Sequence, residues 1–208
     1  MIDPFNHRYG SFNKNQRSHI LPESSISDYL NPDFCSIPYY WVKELEIINR
    51  CNISSRWFLV FRNIISKSAE VFSSFAILPF YGLGHSGSIV LFNKDIVRNS
   101  CYLLSLCNSM IFGYIVKQKL SGANFSFFVF EQLPVIPPNC YTPSDLTFIV
   151  PRVLELTYTA WDIKAFADDV WRDADDAMKA LLRQQWEENK VTTGGHPWAP
   201  PEWAEIEP

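Results

Sequence analysis

Apolar positions recur at helical spacing from Ser100 to about Leu120. Leu103, Leu106, Cys107, Met110 and Tyr114 form one stripe, which Leu104, Ile111 and Ile115 widen. The pattern predicts a buried helix, with Asn99 or Ser100 as its cap and Gly122 as its stop. Lys117 and Lys119 fall in its last turn, where cations suit the negative end of the helix dipole. A polar turn, Ser121-Gly122-Ala123-Asn124, follows. The aromatic run Phe125–Phe130 then predicts a strand, ended by Pro134, Pro137 and Pro138.

Upstream, the pattern changes to short runs of aromatic and β-branched residues. Arg56–Ile65 (RWFLVFRNII) reads as a strand with one polar interruption, Arg62. Val71–Phe80 and Ile89–Phe92 read as two more, joined by a glycine-containing turn into a hairpin. Met1–Asn31 is polar and turn-rich, Pro38–Val42 is a compact apolar run, and Lys43–Asn49 is a helical turn or short helix. Downstream, Thr142–Asp145 reads as a capped helix start. Helical patterns follow over Pro151–Asp169 and Trp171–Lys190, and the Pro- and Trp-rich tail Thr192–Pro208 reads as irregular. The fold class expected is α+β: a small mixed β-sheet from the segments near 56–65, 71–80, 89–92 and 125–130, packed on the central helix, with a helical C-terminal extension. Two parts are expected, a body over 1–141 and an acidic helical extension over 142–208.

Composition sharpens this in three ways. Sixteen Phe, nine Tyr and seven Trp favour a sheet-rich core or an aromatic-lined surface, and only eight Gly argue against glycine-rich nucleotide loops. Residues 1–141 carry twelve Lys and Arg against nine Asp and Glu, and residues 142–208 carry six against thirteen. A mildly basic body with an acidic tail is compatible with nucleic-acid contact by the body, without amounting to a basic patch. Five cysteines in odd number, none in a C-x-x-C pair, read as reduced thiols of a cytoplasmic protein. His7, His19, His85 and His196 are too dispersed for a metal site. The apolar window Cys101–Val116 is shorter than the ~20 residues a membrane span needs, so no membrane partner is expected.

Few motifs carry chemistry. The loop Gly82-x-Gly84-His85-Ser86-Gly87 lacks the lysine of a P-loop and lies between strands rather than before a helix. It reads either as a plain turn or as a loop whose backbone N–H groups, with His85 and Ser86, approach a phosphate or a base edge. Asn31-Pro32-Asp33-Phe34 is one proline short of the N-P-P-Y/F loop that grips a flipped base, and reads as a turn. His85, Ser86 and Asp95 lack the nucleophile elbow of a hydrolase triad. Asp33 with Glu44 and Glu46 lacks the lysine of a nuclease metal pattern. The acidic cluster Asp168, Asp169, Asp173, Asp175 and Asp176 lacks Ca²⁺-loop spacing and reads as a solvated helix junction. The segment Lys117-Gln118-Lys119 to Asn124 sets two cations and two amides between rigid elements. It reads either as a solvated helix end or as phosphate contact by the lysines with Gln118 or Asn124 near a base edge. Arg62 divides the same way, between a satisfied core residue and a DNA contact.

In one order the chain carries Leu106-x-Asn108-Ser109 and Phe112, then Lys117-Gln118-Lys119, Gly122 and Asn124. Phe127-Phe128 and Glu131-Gln132-Leu133-Pro134-Val135 through Pro138 complete the block. This block resembles the TaqI-like target-recognition region of type IIG-like, adenine-specific restriction-modification DNA methyltransferases. Phe5–Tyr9, Pro38–Val42, Phe61–Ile64, Gly82–Gly87 and Arg152–Asp162 are similar to landmarks around it, so the resemblance spans nearly the whole chain. It implies recognition of double-stranded DNA, with Arg62, His85, Ser86, Lys117, Gln118, Lys119 and Asn124 as the candidate contacts. The family's cofactor loop and N-P-P-Y/F loop would precede Met1. The expectation is therefore a recognition fragment or split gene product with no cofactor of its own, S-adenosylmethionine belonging to the parent enzyme's catalytic half. Flipping and methylating a base needs that half, whereas choosing a site needs only side chains on a rigid scaffold. Two other expectations stand beside this one: an interaction module docking on a separately encoded catalytic or restriction subunit, and a truncated remnant without function.

Overall fold

The computed structural model describes residues 2–12, 22–38, 40–51, 54–65 and 71–192. The architecture is α+β, with eight α-helices and one three-stranded sheet among these residues. The expected irregular tail lies outside them from residue 193 on.

The sheet is built on β1 (Trp57–Arg62), whose first five residues are all buried. Alternation sends Trp57, Leu59 and Phe61 to a large core and Phe58 and Val60 to a smaller one with Ile2, Ile47, Ala76 and Leu78. A strand buried on both faces takes a partner on each edge: β2 (Phe75–Pro79) and β3 (Gly87–Val90) flank it, both antiparallel. The sheet is thus antiparallel rather than mixed, and β2 and β3 form no hairpin. Trp57 pairs with Pro79 and Arg62 with Gly87, so the link over residues 80–86 must run from one end of the sheet to the other. It does so across the smaller core, where Phe80 stacks on Phe58 at 5.1 Å and Leu83 packs beside it. A Cβ at Gly82 would lie 3.0 Å from the Val42 side chain, so a larger residue there requires Val42 to shift.

The expected single helix is two: α3 (Ile96–Cys107) and α4 (Met110–Lys119), bent by 69° at Asn108-Ser109. The side chains explain the break. The Asn108 carboxamide accepts from the Phe75 N–H and donates to the Phe75 carbonyl, both at 2.9 Å, and so continues the sheet edge as a strand would. The Ser109 hydroxyl caps α4 by accepting from the Phe112 N–H. Among the described residues no single helix is long and apolar enough to cross a membrane.

The expected strand Phe125–Phe130 is also corrected. Only Ile64 and Asn124 pair, in an isolated bridge, and the chain then turns into the short helix α5 (Phe127–Phe130). A strand would put Phe127 and Phe130 on opposite faces. A helical turn puts both rings against Phe61, at 5.1 and 5.3 Å, where Phe125 also packs at 5.3 Å.

Beyond the proline exit, α6 (Pro143–Thr157) opens on a capping box between Thr142 and Asp145 and runs through Pro151, so it starts before the helix expected at Pro151. It is followed by α7 (Lys164–Asp173) and α8 (Asp176–Thr192). Val150, Val153, Leu154, Phe166, Val170 and Leu182 join Leu104, Cys107 and the β1 side chains in one continuous core. The Trp57 indole N–H donates to Asp169 at 2.9 Å, tying sheet to α7.

The N-terminal segment is pinned by a buried arginine. The Arg8 guanidinium, 1% exposed, donates to the carbonyls of Asp28, Tyr29, Asn31, Phe34 and Thr159. Two of these carbonyls belong to the Asn31–Phe34 turn, and α1 (Ile26–Leu30) supplies two more. Burial draws this guanidinium down from its ordinary value, with Asp162 the largest opposing influence. Beside it His7 Nε2 meets Asp162 at 2.8 Å, and the Trp161 N–H donates to the Pro32 carbonyl. Two landmark segments, Phe5–Tyr9 and Arg152–Asp162, therefore meet the Asn31–Phe34 turn at one buried point.

Candidate nucleic-acid interface

At the Arg62 end of β1 the chain leaves the sheet through Asn63, and this residue organises the candidate site. Its backbone N–H donates to the Ser86 carbonyl at 2.9 Å, and its side-chain amide donates to the His85 carbonyl at 2.9 Å. Its side-chain oxygen accepts from the Ser88 hydroxyl at 2.7 Å. On its other side the Asn63 carbonyl accepts from the Phe125 N–H at 2.7 Å, and the Ile65 N–H donates to the Ala123 carbonyl at 2.8 Å. One asparagine thus holds the crossing loop and the polar turn together, although they are far apart in sequence.

The expected residues fall into three groups. His85, Ser86 and Asn124 are gathered around Asn63 with exposed side chains. Gly82, Gly84 and Gly87 adopt no left-handed φ, so the loop is a crossing segment closed by the Gly87 N–H on the Gly84 carbonyl. Lys117, Gln118 and Lys119 are exposed in the last turn of α4, just before the polar turn, and the Lys117 ammonium lies 4.8 Å over the Phe72 ring. Arg62 stands apart. It is half-buried, its guanidinium donates to the Ile2 carbonyl at 3.3 Å, and its charge opposes, without cancelling, the burial that raises the Asp3 carboxyl. The geometry engages Arg62 with the N-terminal segment rather than with the face that carries the others.

Two residues of this face, both in the Phe61–Ile64 landmark, were not among the candidate contacts. Asn63 had a signal, a carboxamide inside an apolar run. Ile64 had none, since an isoleucine in such a run reads as core, yet it is 56% exposed. The acidic cluster has structural partners: Asp168 pairs with Lys164, Asp169 with Arg172 and Trp57, and Asp173 with Arg98, while Asp175 accepts from the Met178 N–H. The cysteines are free thiols. Cys101 and Cys107 are buried in the core, and burial pushes Cys101 up to about 12 and raises Cys107 as well, which removes thiolate chemistry at neutral pH.

What this arrangement offers is positioning: exposed imidazole, hydroxyl, carboxamide and ammonium groups on backbone fixed by a sheet end and a helix end. No protein-family model, curated protein or solved structure matches the chain.

Proposed function

We propose that this chain is the DNA target-recognition module of an adenine-specific restriction-modification methyltransferase, not catalytic by itself and acting in the cytoplasm. The observation that carries the reading is the gathering of His85, Ser86 and Asn124 around Asn63, with Lys117 to Lys119 alongside. Recognition needs cations that meet phosphates and polar groups that meet base edges, held in one frame. The residues that carry the family resemblance supply both kinds. The catalytic half, with S-adenosylmethionine, would be a separate partner. Few cations on this face imply weak, salt-sensitive affinity until that partner adds phosphate contacts.

The test is duplex binding by the full chain across a salt series. Binding should weaken linearly in log salt, and Lys117→Ala with Lys119→Ala should lower the slope by roughly one to two. A double variant that binds as the parent does at matched salt would sink the site assignment. Titration with S-adenosylmethionine should give no heat, and clear binding would overturn the division of labour.

A second reading, an interaction module docking on a catalytic subunit, has its own observation. Tyr40, Trp41 and Leu45 are 76%, 77% and 67% exposed, and Met110, Ile111 and Tyr114 form an exposed stripe on α4. Exposed apolar side chains that adjoin one another in a large patch mark interaction surfaces. Co-purification with the neighbouring gene product, without DNA binding by the chain alone, would favour it.

A further inference from the structure

Ile64 and Asn124 face each other across an isolated antiparallel bridge. The bridge is bounded by the Phe125 N–H on the Asn63 carbonyl and the Ile65 N–H on the Ala123 carbonyl. These bonds belong to the flanking residues, so Ile64 and Asn124 form a non-hydrogen-bonded pair. In such a pair the two side chains leave the same face with Cβ atoms about 5 Å apart. Their neighbours Ile65 and Phe125 turn the other way, into the large core, at 2% and 0% exposure. The pair itself turns outward: Ile64 is 56% exposed and Asn124 is exposed. A β-branched alkyl group, stiff about its first torsion, thus stands beside a carboxamide on clamped backbone.

We propose that the Ile64–Asn124 pair reads an A·T base pair from the major groove, an inference that rests on the DNA-recognition reading above. A carboxamide offers one acceptor and two donors, which match the adenine N6 amino group and N7. The thymine C5 methyl is the one apolar group in the major groove, and an isoleucine methyl is its natural neighbour. A G·C pair in the same place removes the methyl from the isoleucine and puts the guanine O6 where the adenine amino group stood, so the carboxamide oxygen meets an acceptor. The bridge presents the pair on backbone held between the end of β1 and the polar turn. Lys117 and Lys119, in the helical turn just before it, are placed for the phosphates that would flank this base pair.

The experiment is selection of bound duplexes from a random-sequence pool by the full chain at low salt. Bound sites should share an A·T pair at a fixed position. Replacing its thymine by uracil, which lacks the methyl, should weaken binding about fivefold in the parent and not in Ile64→Ala. Replacing its adenine by 7-deazaadenine should weaken binding about tenfold in the parent and not in Asn124→Ala. Because both side chains are exposed, the variants should keep the parent's melting temperature. If Ile64→Ala fails to fold, Ile64→Ser, which lacks the branched methyl groups, carries the uracil comparison. Salt-dependent binding without a fixed A·T pair, or with no response to either base analogue, overturns the inference and leaves the DNA-recognition reading standing. Loss of all salt-dependent duplex binding overturns both. Capture of the catalytic subunit that the two variants abolish, with DNA selection unchanged, overturns it by making the pair a docking face.

Discussion

Arg8 occupies a position where charge, burial and geometry all bear on one side chain. Its planar fork satisfies carbonyls from the α1 turn, the Asn31–Phe34 turn and the Thr159 region at once, which a point-charge ammonium cannot do. Arg8→Lys should therefore cost about 3 kcal/mol or more in denaturant unfolding, since it strands several buried carbonyls. A loss below ~1 kcal/mol would show that water replaces the fork. Asn108 acts on the same principle at the edge of β2: a carboxamide stands in for a strand, and the helix that contains it has to end there. Neither role could be read from spacing, because each depends on backbone groups that arrive from elsewhere in the chain.

At the scale of elements, the capping boxes give a pH signature. Ser25 holds Asp28 below the usual carboxylate range through side-chain and backbone hydrogen bonds, and the Thr142 backbone N–H and hydroxyl do the same to Asp145. A depressed carboxylate pKa in the folded state contributes stability above the unfolded value near ~4. That contribution is lost as pH falls through the folded value. Thermal melts between about pH 6 and pH 3 should show α1 and α6 weakening on the acid side. Thr142→Ala with Ser25→Ala should flatten part of that slope, and an unchanged slope would remove the caps as its source. The Thr142 box was legible as a capped start, and β1 as a strand, because both signals are local. The α5 helix was not, since its form follows from three rings converging on Phe61. The crossing of β2 to β3 was not either, because pairing order follows from burial of both faces of β1. For the candidate site, sequence named His85, Ser86 and Asn124 but not the Asn63 that joins them, and it placed Arg62 with them although Arg62 serves the N-terminal segment.

For the whole molecule, the decisive observation is that α6, α7 and α8 complete the core that β1 and α3 begin. Residues 1–141 alone would uncover the side of α3 on which α6 and α7 pack. They should give a species without a cooperative melt, and should bind the dye ANS strongly. A sharp transition for residues 1–141 would instead make the C-terminal helices an appendix. Trp57 reports on this directly, since its indole bonds to Asp169 on α7 and its ring meets Phe166 edge-on at 4.9 Å.

The hub at Asn63 has an evolutionary corollary. It grips the crossing loop by the carbonyls of His85 and Ser86, groups that every amino acid possesses. The side chains at those two positions can be exchanged without loosening the grip, much as type can be reset in a fixed frame. The same holds for Ile64 and Asn124, whose placement is fixed by backbone bonds of their neighbours. Four positions can thereby exchange side chains by single substitutions, while Asn63, Ile65 and Phe125 keep the frame constant.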